Sequence, residues 1–162
     1  MCNIRAPRGL SLSKWCPQPA ADLPDGLILF DGVCVMCSGM VAFVLPRDPI
    51  GHFRFIAIQT EAGQMLARRF GIDPANPETV AVTWHGQAHF KSDTALAISR
   101  DLPGWRWAAV FRAVPRPIRD FLYDRVARNR YSLFGKRDAC LVPTPDVRSR
   151  FISELPELAK IA

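Results

Sequence analysis

Two cysteines separated by two residues, Cys34 and Cys37, lie in the stretch Ile28-Leu29-Phe30-Asp31-Gly32-Val33-Cys34-Val35-Met36-Cys37. Such a pair serves as half of a metal clip, as a structural disulfide, or as a dithiol that exchanges with other disulfides. A closed zinc site needs four nitrogen or sulfur ligands, and His52, His85, His89 and Cys140 supply no second clip. Heme attachment needs a histidine after Cys37, where Ser38 stands. A disulfide closing one helical turn constrains the unfolded chain little. The spacing therefore favours dithiol exchange, which needs an attacking thiolate, a mixed disulfide and a second thiol to release the product.

The flanking elements position the pair. Leu27 to Phe30 is an uninterrupted apolar run, the pattern of a short strand covered on both faces. Asp31-Gly32 ends it, and residues 35–45 are apolar on nearly every side until Pro46, which reads as a buried helix. A strand turning straight into a helix puts Cys34 at the helix N-terminus, where unpaired N–H groups and the macrodipole stabilise a thiolate. Cys37 lies one turn deeper. We therefore expect an exposed, low-pKa Cys34 that attacks and a shielded Cys37 that resolves. Asp31 should raise nearby thiol pKa values unless a cation holds it or it accepts a proton itself; capping of the turn is the plainer reading.

Further along, residues 52–58 read as a strand and 60–70 as a helix capped by Thr60 and stopped by Gly71. Residues 79–84 and 87–91 read as a hairpin turning at His85-Gly86, and Ser92 as the cap of a helix running to about Arg100. The order β-α-β-α-β-β-α predicts an α/β fold with one mixed sheet, parallel strands first and an antiparallel hairpin last. A CxxC after the first strand of that pattern points to a thioredoxin-like redox fold. Residues 105–134 read as additional C-terminal helices broken at Val114-Pro115-Arg116-Pro117. Counted at 100° per residue, Ile118, Phe121, Leu122, Val126 and Leu133 form an apolar arc expected to face the core, with Arg125 and Asn129 near its centre. Arg128 falls at the margin, with Asp124 as its surface partner.

The 162 residues, 49% hydrophobic, suffice for one domain with a core. Residues 1–26 hold four prolines without apolar periodicity and read as a flexible leader, with Cys2 and Cys16 as incidental thiols. The domain is expected over 27–143, followed by a tail over 144–162 with room for a short helix. The net charge of +6 is local, since residues 100–150 carry twelve Arg or Lys against five Asp. Helical arginines without a reader motif read as a solvated face and argue against specific nucleic-acid binding. No apolar run approaches the roughly 20 residues of a transmembrane segment, and no signal-peptide core is present, so a cytoplasmic setting with reduced thiols is expected. Trp84, Trp105, Trp107 and Phe111 read as packing rather than as a membrane or partner surface.

"FDGVCVMC" (30–37) and "YDRVARNRYSLFGKRDAC" (123–140) together resemble the DCC family of thiol-disulfide oxidoreductases, over about residues 27–143. The resemblance implies a thioredoxin-like fold, dithiol activity, and a catalytic set falling on Asp31, Cys34 and Cys37. The second motif falls on Tyr123, Ala127 to Tyr131, Phe134-Gly135 and Cys140; within it Arg128, Asn129, Arg130, Tyr131 and Cys140 are expected to support the site or bind substrate. Thioredoxin-like enzymes usually set a cis-proline directly before the third strand, whereas Pro77 lies one residue further out. The activity expected is reduction or exchange of protein or small-molecule disulfides at the expense of a cellular thiol reductant, without cofactor or metal. The alternatives are a binding module of the same fold, holding a metal or a protein without redox turnover, and peripheral membrane attachment through "WRWAAVFRAVPRP" (105–117).

Overall fold

The chain, seen in a computed structural model, is described over residues 15–135 and 145–154. Its strands are β1 (Gln18–Pro19), β2 (Leu27–Phe30), β3 (Arg54–Ala57), β4 (Ala81–Trp84) and β5 (Gln87–Phe90). Its helices are α1 (Val35–Val44), α2 (Glu61–Arg69), α3 (Ser92–Asp101) and α4 (Arg116–Phe134), with 3-10 segments at Leu45–Arg47, Arg106–Ala113 and Arg148–Arg150. The sheet runs β1-β5-β4-β2-β3; β2 and β3 are parallel and the other neighbours antiparallel. This is the expected thioredoxin-like mixed sheet with one added edge strand.

All four residues of β2 are buried. Successive strand residues point to opposite faces, so Leu27 and Leu29 enter one core beneath α2, while Ile28 and Phe30 enter the other beneath α1 and α3. The hairpin turn has positive φ at both His85 (49°) and Gly86 (69°), the backbone that matches strand twist in a two-residue loop. Thr60 caps α2 by accepting the Gly63 N–H at 3.1 Å. A Cβ on Gly63 would lie 2.0 Å from the Ala57 carbonyl oxygen, so a glycine is what lets α2 approach β3.

Several expectations need correction. Residues 15–26 are built into the fold: Trp15, Ala20 and Leu23 are buried, Trp15 packs on Phe90 at 5.5 Å, and β1 pairs with β5. The prolines that suppress helix in this stretch are compatible with an edge strand. Cys16 is disulfide-bonded rather than an incidental thiol, while Cys2 lies outside the described residues. Ser92 is the first residue of α3 and not its cap; the cap position is Lys91, at φ 51°, and the Ser92 hydroxyl instead donates to Asp120 at 2.5 Å. In the expected tail, Phe151 bridges to Phe55, the Ile152 N–H donates to the Phe55 carbonyl at 2.9 Å, and Arg150 binds the Phe53 carbonyl and pairs with Asp48.

A further correction is the phase of α4. Ile118, Phe121, Leu122, Val126 and Leu133 are 40% to 65% exposed, whereas Asp120, Ala127 and Arg130 are buried. The helix docks by its polar face because partners distant in sequence await it. Asp124 pairs with Lys91 at 2.8 Å rather than with Arg128, Arg119 pairs with Asp93 at 2.9 Å, and Tyr123 accepts the Val80 N–H at 3.2 Å.

Candidate redox site

The turn from β2 into α1 is tied down by its own backbone and by Asp31. The Val33 N–H donates to Asp31 Oδ1 at 3.2 Å and the Cys34 N–H to the Asp31 carbonyl at 3.3 Å. Cys34 then takes the N-cap position of α1, with φ −81° and ψ 121°, and its Sγ accepts the Cys37 N–H at 3.4 Å. The sulfur thus occupies the place a Ser or Asp oxygen would take, facing the positive end of the helix. Both thiols are free.

The two sulfurs are electrostatically unlike. The Cys37 thiol, donating to Cys34, and the Cys37 N–H bring the Cys34 pKa down to about 6, against burial and the Asp31 charge; the Arg130 charge assists. Cys37 is pushed upward by that same bond, by burial and by the charges of Cys34 and Asp31. The pair is poised with one thiolate sharing the proton of its neighbour.

Accessibility does not follow the expected asymmetry, since Cys34 is 0% exposed and Cys37 4%. The helix start is covered. Tyr131 packs against the cluster holding both sulfurs, and a Cβ on Gly135, just past α4, would come within 4.0 Å of Val35. Two openings lie on the Cys37 side. A cavity of about 10 Å³, room for one water, is bounded by Asp31, Cys37, Pro77, Tyr123 and Arg130. A groove of about 660 Å³ runs from Cys37 past Met40, Phe43 and Trp105 to Phe111 and Leu122.

The buried Asp31 carboxylate is the centre of a hydrogen-bond network. Its Oδ1 accepts from Gln59 Nε2 at 2.8 Å, and its Oδ2 accepts from the Tyr131 hydroxyl at 2.5 Å with Arg130 Nη2 at 3.6 Å. Gln59 returns its carbonyl to the Gly32 N–H at 2.9 Å, and Arg130 donates to the Tyr131 hydroxyl at 2.9 Å. Burial and the bond to Asp31 raise the Tyr131 pKa. Asp31 therefore caps the turn and also meets a cation and a phenol.

Of the expected site residues, the fold brings together Asp31, Cys34, Cys37, Arg130 and Tyr131. Arg128 and Asn129 point to solvent, and Asn129 Nδ2 donates to the Arg125 carbonyl at 2.7 Å within its own helix. Cys140 lies outside the described residues. Gln59 was missed, although a polar residue just beyond a parallel strand beside β2 is where such sites gather. Tyr123, noted only as part of the second motif, shares the small cavity with Cys37. Among the described residues, no group of three His, Cys, Asp or Glu is placed to hold a metal ion.

A dithiol at the start of a helix, at the C-terminal edge of a mixed sheet, marks a thioredoxin-like redox protein. The chain belongs to the DCC1-like thiol-disulfide oxidoreductase family, which matches residues 28–136. It is 40% identical over 131 residues to the uncharacterized protein YuxK of Bacillus subtilis (strain 168), covering 80% of this chain and 96% of YuxK. It is also 40% identical over 116 residues to a chloroplastic DCC family protein of Arabidopsis thaliana, covering 70% of this chain and 67% of that protein. No solved structure matches significantly.

Proposed function

We propose that Cys34 and Cys37 cycle between dithiol and disulfide and so reduce or exchange disulfides in a protein or small-molecule substrate, with a cytoplasmic thiol restoring the dithiol. The Cys34 thiolate attacks one substrate sulfur, and the other leaves as a thiolate and takes up a proton. Cys37 then gives up its proton and attacks Cys34, releasing the second substrate thiol. Two electrons pass from the pair to the substrate. The observation that carries this reading is the Cys34 sulfur capping α1 with a pKa held near 6. Asp31, beside Cys37 in the same small cavity, is the proposed acceptor of its proton, with Gln59, Tyr131 and Arg130 orienting the carboxylate. Arg128 and Asn129 are proposed as outer contacts for substrate.

Incubation of Cys37→Ser with a disulfide substrate, without reductant, should accumulate a mixed disulfide through Cys34, whereas Cys34→Ser should form none. Trapping through Cys37 alone would reverse the roles, and wild-type exchange by both variants would remove the pair from the chemistry. Burial of both sulfurs favours a second reading, a binding module without turnover. Thiol titration separates the two: reversible loss of two thiols on mild oxidation fits exchange, and no oxidation fits the module.

A further inference from the structure

Helix α4 turns Asp120, Asp124, Arg119 and Arg130 inward and most of its apolar residues outward. Phe121, Leu122, Val126 and Leu133 are exposed, and the adjoining 3-10 segment adds Trp107 (58% exposed) and Phe111 (51%). The groove beside Cys37 opens between these two elements, with Trp107, Phe111, Leu122 and Val126 among its walls. An apolar face this large needs a partner.

The charges around it identify one. The two carboxylates of residues 105–135, Asp120 and Asp124, are engaged with Ser92 and Arg116 and with Lys91. Arg106, Arg112, Arg125 and Arg128 are exposed, and none makes an ion pair among the described residues. The face is therefore apolar and cationic, with no free carboxylate among the described residues of its two elements. A second copy of the chain would bring the same arginines against these and be repelled. An anionic surface with an apolar interior meets both features: arginines snorkel to headgroups while aromatic and aliphatic side chains enter the acyl boundary.

We propose that the Arg106–Ala113 segment and α4 form a docking face for an anionic lipid bilayer. The helix lies in the plane of the interface, and the groove offers acyl chains an apolar wall. This assignment does not rest on the thiol chemistry, and the Cys34→Ser, Cys37→Ser chain should dock as wild type does.

The test is co-sedimentation of the full chain with phosphatidylcholine vesicles, with and without about a third phosphatidylglycerol. Wild type should pellet with the anionic vesicles and be released by salt. Arg112→Glu with Arg125→Glu should lower partitioning by more than roughly 25-fold, at roughly fivefold per arginine lost. Trp107→Glu with Phe121→Glu should abolish it. These side chains are exposed, so both double variants should melt as wild type does; a variant that does not is set aside for the other pair. Absence of wild-type binding to anionic vesicles, or unchanged binding by both folded variants, would overturn the proposal. So would dimerisation or capture of a soluble protein through this face without lipid binding.

Discussion

The Tyr131 hydroxyl donates a 2.5 Å hydrogen bond to Asp31, 100 residues earlier in the chain. That bond joins the helix carrying the second motif to the turn carrying the thiols, and the guanidinium of Arg130 lies on the same carboxylate oxygen.

Replacing Asp31 by Asn leaves Arg130 buried without its counter-ion, at a cost of about 3 kcal/mol. The Asp31 charge raises both thiol pKa values, so Cys34 should ionise below its present value of about 6. Urea unfolding and thiolate absorbance against pH measure the two effects. An upward shift of the Cys34 midpoint would contradict the electrostatic assignment.

Stability of the reduced protein should depend on pH with a defined sign. Cys34 ionises near 6 when folded against an ordinary 9.0, so between those values the unfolded chain binds more protons. Its contribution is full above about pH 9 and is lost as pH falls through about 6, with a slope of at most about 1.4 kcal/mol per unit. Cys37 acts oppositely, its raised pKa favouring the folded state below about 9 and less so above. Stability measured across this range should rise towards pH 9 in wild type, and Cys34→Ser should lack the rising limb.

The inward face of α4 predicts that Tyr123→Phe is costly and its outward neighbours are not. Loss of the Tyr123 oxygen strands the Val80 N–H, worth about 1–3 kcal/mol. Asn129→Ala and Arg128→Ala, on the solvent side, should each stay within about 0.5 kcal/mol. Chemical denaturation of the three variants checks the order, and a costly Asn129→Ala would restore the phase read from periodicity.

Gly63→Ala tests the contact between α2 and β3. An added methyl would meet the Ala57 carbonyl at 2.0 Å, and a backbone oxygen cannot swing aside. Loss of about 3 kcal/mol or more in urea is expected; a neutral result would mean that α2 docks further out.

The parts legible in the sequence were those determined locally. Four adjacent apolar residues specified β2, and a CxxC shortly after it placed the sulfurs at the start of α1. The hairpin followed from His85-Gly86. What periodicity could not see was pairing across the chain. An apolar arc is read as facing inward, but in α4 the outcome was decided by Lys91, Asp93 and Asp31, each distant from it in sequence. The same helix contributes to the covering of the thiols, since Tyr131 packs against the cluster that holds both sulfurs. Residues 15–26 escaped notice for a related reason: an edge strand of two residues has no period, and Trp15 and Leu23 are isolated anchors.

The polar docking of α4 also decides how its detachment would register. Heat capacity rises with the apolar area newly wetted, and the apolar side of this helix is wet already. Lifting α4 would therefore register in heat capacity only through the patch under Tyr131 and Ala127. The alkylation rate of Cys34 itself becomes the gauge of that motion.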